Sequence, residues 1–289
     1  MELLVGTDDG LFRVAGGAAK PLLHTKGRSV RCIAKTEGGT ILVGYGGRGT
    51  GLFQSRDNGV SWEAVPGWPE EREVWAACVR MDGAIWLGGQ PAEIWQQADG
   101  GWRPNPTLAD IPERSQWTFI RPPFLAHVLG FARQDECWLA AVEQGGVLES
   151  LDDGATWNQV SPVWDTHVVV YAPGGNTLAA TAGGLFLRSE KWTGPLVHGY
   201  ATGLCQGADG TFYLAVRDGE DALWRSGDGG ATWEALRADV PEPGHGVHAL
   251  AADGDVIYHG AEDGVWRIEA GEARPLVHGL PAVRRLLVE

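Results

Sequence analysis

The chain has 289 residues, 44% of them hydrophobic and 21% charged, a balance that excludes a disordered chain and leaves enough apolar mass for a sizeable core. Asp and Glu (37) outnumber Lys and Arg (23), for a formal net charge of -14 at pH 7, which argues against nucleic-acid backbones and anionic membranes as partners. There is no run of about 18 apolar residues such as a bilayer span needs, and the first ten residues lack a basic segment followed by an apolar one, so the expected location is the cytoplasm.

The 43 glycines and 14 tryptophans follow no collagen-like period, so the glycines are expected in many tight turns and the tryptophans in a repeated packing role. Taken in chain order, a pair of apolar strands joined by a turn recurs. It begins with Leu3–Gly6 and Gly10–Phe12, then Ile41–Gly44 and Gly51–Phe53, Ile85–Gly88 and Ile94–Trp95, and Trp138–Ala141 with Val147–Leu148. It continues as Leu178–Ala180 and Leu185–Leu187, Tyr213–Ala215 and Leu223–Trp224, and Ile257–Gly260 with Val265–Trp266. Each of the last six is preceded by a further apolar run, such as Val30–Ala34 or His167–Tyr171. The first pair has none, and Ala282–Val288 at the far end supplies it. The pattern predicts an all-β, seven-bladed β-propeller of four-stranded blades over residues 1–289, a single domain whose ring is closed by the C-terminal strand completing the first blade. The longest interruption, Pro104 to Pro123, is expected to decorate the rim or face between blades 3 and 4. Cys32, Cys78, Cys137 and Cys205 stand singly in apolar runs and read as buried free thiols.

A sharper repeat lies inside three blades: Ser55-Arg56-Asp57-Asn58-Gly59-Val60-Ser61-Trp62, Ser150-Leu151-Asp152-Asp153-Gly154-Ala155-Thr156-Trp157 and Ser226-Gly227-Asp228-Gly229-Gly230-Ala231-Thr232-Trp233. Physically it is a hairpin between third and fourth strands: the Asp carboxylate accepts backbone N–H bonds, the Gly takes a positive φ, and the Trp packs between blades. The pattern resembles the Asp box (BNR repeat) of sialidase-like β-propellers, and bacterial single-domain members of that group are similar over the whole chain as architecture. On this reading Asp57, Asp152 and Asp228 are structural and mark the face opposite any ligand site.

In such a ring the starts of the inner strands and the loops between second and third strands share one face around the channel. The residues at the inner-strand starts are Arg31, Trp75, His127, His167, Tyr200 with Thr202, His245 with His248, and Arg284. The loops contribute Asp8, Glu143, Asp218 and Glu262, with Asp9 and Asp263 alongside. Most of these acids are explained by turns such as Thr7-Asp8-Asp9-Gly10 and Glu262-Asp263-Gly264, where Asp before Gly is favoured, but Glu143 sits in Val142-Glu143-Gln144-Gly145-Gly146, where glycines already make the turn. Imidazole and carboxylate together suit a divalent metal, which could activate water or polarise a carbonyl. The expected ligands are His127, His167 and His248, with Glu143 and His167 as catalytic groups and Arg31, Trp75, Tyr200, His245 and Arg284 as ligand-binding groups. A different trio, His24, His198 and His278, recurs in Pro-Leu-Leu/Val-His at the ends of outer strands and reads as packing.

Three functions follow: a small-molecule site on the channel face serving a metal-assisted hydrolase or lyase; a non-catalytic scaffold whose acidic face docks a protein partner; and a carbohydrate-binding or glycoside-processing protein in which Trp75, Trp117, Trp164 and Tyr200 stack on sugar rings. The first is preferred. The resemblance would imply sialidase activity only with an arginine triad, a Tyr/Glu nucleophile pair and an acid Asp. Phe119-Ile120-Arg121-Pro122 is loosely similar to that family's Phe-Arg-Ile-Pro signature but lies in mid-chain; Arg31 and Arg284 could reach the channel mouth, but a third arginine and a Tyr/Glu pair are not evident, so sialidase activity is not expected.

Overall fold

Strands of two to eight residues, separated by turns that glycine can make, form seven four-stranded antiparallel sheets arranged as the blades of a ring. The computed structural model describes residues 2–22, 25–80, 82–98, 100–237, 239–243 and 249–289. Blade 1 pairs Glu2–Thr7 with Val283–Val288 on its inner side, Leu3 facing Val288 and Val5 facing Leu286, so the last strand completes the first sheet as expected. The inner strands of blades 2 to 7 are Val30–Lys35, Glu73–Val79, His127–Gln134, Thr166–Ala172, Tyr200–Gln206 and Leu250–Asp253. Second strands such as Ile41–Tyr45 are buried along their whole length, because each is covered by a blade on either face.

The three Ser-x-Asp-x-Gly-x-Ser/Thr-Trp segments are hairpins leading into two-residue outer strands, Glu63–Ala64, Asn158–Gln159 and Glu234–Ala235. In each the carboxylate closes its own loop. Asp152 accepts from Thr156 N and Thr156 Oγ1 at 2.8 and 2.7 Å and from Ser150 Oγ at 2.8 Å, and Asp57 and Asp228 repeat the pattern. Gly154 takes φ 80°, and Trp157 is buried beside the stacked pair Trp86–Trp138, whose centroids lie 4.6 Å apart between blades 3 and 4. The four cysteines are free; Cys32 is buried and the other three are half-buried. His198 and His278 are exposed, and His278 sets its edge on Trp266; His24 lies outside the described residues.

One irregularity is repeated around the ring and decides where the site forms. In blades 1 to 6 the pairing of inner with second strand slips by one residue, and the extra residue is Arg284, Arg31, Trp75, Leu129, His167 and Thr202 respectively. A β-bulge leaves its extra residue outside the ladder and re-aims the side chain. The orphaned carbonyls need donors, and Arg285 supplies them: its guanidinium donates to Arg31 O, to Trp75 O at 2.8 Å and to Leu129 O at 3.0 Å. One side chain on the closing strand therefore ties the bulges of blades 2, 3 and 4 together. Burial pushes its guanidinium down to about 10, still charged at neutral pH.

Candidate functional site

The bulges border a cavity of about 710 Å³ at the channel mouth. Arg31, Trp75, Leu129 and Arg284 line it from bulge positions; Glu143, Asp165, Tyr200 and Arg217 line it from strand ends and loops. The segment between blades 3 and 4 reaches the same place. Its two 3-10 turns, Pro106–Asp110 and Pro112–Gln116, bury Leu108 and Ile111 in the core beneath, and Phe119, Ile120 and Arg121 then project to the cavity. This segment is therefore a wall of the site as well as a rim decoration.

At one side of the cavity Glu143, Asp165 and His167 each present a ligand atom, all within 4.8 Å of one another. His167, the bulge residue of blade 5, is fully buried, and its Nδ1 lies 2.6 Å from Ala201 O. That carbonyl can only accept, so it holds the proton on Nδ1 and turns the Nε2 lone pair of the neutral ring toward the two carboxylates. Nε2 stands 3.4 Å from Asp165 Oδ1, close enough for an ion pair, yet both atoms are buried without an aligned hydrogen bond. His127 Nδ1 approaches Glu143 Oε2 at 3.2 Å and is likewise not aligned. A lone pair facing carboxylates at close range is repulsive unless a cation or a proton lies between them.

The electrostatics follow. Burial, then the Asp165 charge, pushes the Glu143 carboxyl up to about 7, against the pull of His167 and two arginines. Burial, reinforced by Arg31, pushes His127 down to about 4. His127 is thus neutral throughout the titration of Glu143 and lends it no charge despite their contact. For His167 burial acts to lower the value, but Asp165, the Ala201 carbonyl and Glu143 outweigh it and the net direction is upward. The Tyr200 phenol, tilted against the His167 ring at 4.6 Å, is raised by burial and then by Asp165.

Several polar groups of the mouth are already committed. Arg284 forms a two-pronged pair with Asp8, which also accepts from Ser29 Oγ at 2.9 Å. The Arg31 guanidinium lies 4.6 Å over the Trp75 ring, whose Nε1 donates to Glu73 at 2.8 Å, and Glu73 accepts from Gly47 N at 2.8 Å. His127 is packed edge-on by Trp75 and Phe119.

The structure brings Glu143 and His167 together, places Arg31, Trp75, Tyr200 and Arg284 around them, and adds Asp165, which the sequence reading did not single out. His127 lies against Glu143 but outside the three-residue cluster; His245 and His248 lie outside the described residues. His127 and His167 are not equivalent in the repeat: the counterpart of His167 in blade 4 is the bulge residue Leu129, and His127 stands two residues earlier, where blade 5 has Asp165 and blade 6 has Tyr200. A signal for Asp165 was therefore present, as the residue two before a bulge, but only once the bulges are placed. The same register puts Arg217, not Asp218, at the position of Glu143, since His127 faces Glu143 and Tyr200 faces Arg217. Asp218 takes φ 57° in the turn beyond. Trp117 and Trp164 are spent elsewhere: Trp117 is buried and donates to Gln159 at 2.9 Å, and Trp164 stacks on Phe186.

No family model matches the chain. Over 142 residues, 45% of its length, it is 30% identical to a xyloglucanase of a Paenibacillus species, and that stretch is 13% of the relative. The chain thus spans well under two thirds of the relative it matches. Among solved structures it is similar to the periplasmic gluconolactonase of Pseudomonas aeruginosa, with a TM-score of 0.65 at 13% identity over 99% of this chain and 98% of that one. It is also similar to virginiamycin B lyase from Staphylococcus aureus, with a TM-score of 0.60 at 11% identity over 98% and 89%. At such identities the likeness is one of fold, and the propellers that share it include enzymes of hydrolase and lyase type.

Proposed function

We propose that this propeller binds a small molecule in the channel-face cavity and acts on it as a hydrolase or lyase, with Glu143, Asp165 and His167 holding a divalent cation. The observation that carries the reading is the buried meeting of three ligand atoms within 4.8 Å, two of which, Asp165 Oδ1 and His167 Nε2, have no hydrogen-bond partner. One nitrogen and two carboxylate oxygens suit a borderline or hard cation and leave positions open for water or a reactant. Such an ion would supply charge stabilisation or an acidified water. The chain's own groups would do the rest. Ala201 O keeps the His167 tautomer, Tyr200 covers that ring, and neutral His127 packs beside Glu143 Oε2.

The three Asp-bearing hairpins support placing the chain in the Asp-box group of propellers. A second reading, carbohydrate processing, draws on the 30% identity to a xyloglucanase. It has less support in the cavity, where Trp75 already carries Arg31 on its ring and Tyr200 already carries His167.

Elemental analysis of tag-free protein, as purified and after chelation and reloading with zinc, manganese or calcium, tests the proposal. About one equivalent of metal, lost in Asp165→Asn and His167→Ala variants that melt as the parent does, is expected. Protein that neither carries nor takes up metal would refute the metal-dependent reading; saturable binding of xyloglucan oligosaccharides by such protein would favour the second.

A further inference from the structure

The chain is strongly acidic, yet five of its 23 cationic residues, Arg31, Arg121, Arg217, Arg284 and Arg285, line this one cavity. Three have set work: Arg284 holds Asp8, Arg285 holds three bulge carbonyls, and Arg31 lies on Trp75 beside the Gly46 carbonyl. The other two differ. Arg217, at the end of the second strand of blade 6, has among the described residues only a loose approach of Nε to Asp218 at 3.8 Å, and its Nη1 is buried with no hydrogen-bond partner among them. Arg121, on the hairpin that follows the 3-10 turns, lines the cavity, and no ion pair holds it among the described residues.

A buried guanidinium N–H without an acceptor is costly, the more so because the group is charged, so it marks a place where an acceptor is missing. The planar fork of Arg matches two oxygens of one oxyanion. Five arginines outnumber the three acids of the same lining, Glu143, Asp165 and Asp218, and an excess of one charge in a concave site raises the local concentration of the opposite charge even on a protein of like net charge. We propose that the cavity takes a small molecule carrying an oxyanion, a carboxylate or a phosphate, which Arg217 and Arg121 hold in the pocket lined by Glu143 and Asp165, beside the buried His167. Phe119, Ile120 and Leu129 offer apolar wall beside it, so the remainder of the molecule is uncharged. This rests on the cavity being the ligand site; it deepens that reading by naming the charge of the ligand.

The test is isothermal titration calorimetry of the full chain with inorganic phosphate and with benzoate, at constant ionic strength in chloride, on protein whose metal content is measured in the same preparation. Saturable binding of at least one anion is expected, weakened tenfold or more by Arg217→Gln and by Arg121→Gln and several-fold by Arg217→Lys. Arg274→Gln, on the exposed outer strand Glu272–His278, leaves it unchanged. The better-bound anion identifies the oxyanion class. Should Arg217→Gln melt early, Arg217→Lys and Arg121→Gln carry the test. Absence of saturable binding of both anions, or binding indifferent to both arginine sites, overturns the proposal. Metal-free protein that binds anions through Arg217 refutes the metal reading alone, and metal-loaded protein that binds neither anion refutes the anion subsite alone.

Discussion

Arg285→Met tests the claim that one guanidinium secures the bulges on which the site stands. Methionine fills a similar stem volume but offers no donor, so the carbonyls of Arg31, Trp75 and Leu129 lose a charged partner together. An unsatisfied buried carbonyl costs on the order of 1–2 kcal/mol, and the residue borders the cavity, so water can rehydrate part of the loss. A net destabilisation of about 3 kcal/mol results, which for a chain of this size lowers the melting temperature by roughly 5 °C. Thermal and denaturant melts of the parent, Arg285→Met and Arg274→Met measure it. Arg274 pairs with Glu272 on the surface, and its replacement should shift stability by no more than about 0.5 kcal/mol. Equal melts for the two variants would refute the argument that the bulge carbonyls depend on Arg285.

Alanine at the three hairpin glycines should separate them. Each has a positive φ, 84°, 80° and 91° at Gly59, Gly154 and Gly230, but a Cβ at Gly154 would lie 1.5 Å from the Trp86 ring, while at Gly59 and Gly230 it meets mobile leucine methyls at 2.9 and 2.7 Å. Gly154→Ala should therefore cost roughly 4 kcal/mol or more and the other two about 2, and equal denaturation midpoints would contradict this. His259 is fully buried and pushed down to about 4 by burial. A base with a depressed folded value contributes stability that is whole above the unfolded value near 6.5 and is lost as pH falls toward 4. The stability difference between the parent and His259→Gln should accordingly move by on the order of 3 kcal/mol in favour of the variant from pH 7 to pH 4, and a pH-independent difference in urea melts would count against it. Burial raises the Cys32 and Cys205 thiols to about 11 and about 12, so native protein at pH 8 should resist iodoacetamide at both positions by mass spectrometry until unfolded. Labelling at the rate of a free thiol would show that these strands open.

The repeat told the fold because each unit carries its own local signals: an apolar run long enough to be covered on both faces, a turn that glycine permits, and in three blades an Asp whose acceptors close the hairpin. Those are near-neighbour effects, and they survive reading along the chain. The closing strand was legible for a related reason, since the first pair of strands lacks an inner partner and Ala282–Val288 is the apolar run left over.

The site was legible only as a pool of residue types. Glu143, His167, Arg31 and Trp75 were foreseeable because they stand at strand starts and loop ends on one face. Which of them meet depends on the bulges, which shift a side chain by one position and which no pattern of apolar residues announces. That shift makes Leu129 and His167 counterparts, leaves His127 outside the cluster and brings in Asp165. The tertiary structure alone decided this, because a bulge is stabilised by contacts across the channel, such as those of Arg285 from the opposite end of the chain, and not by the residues adjoining it.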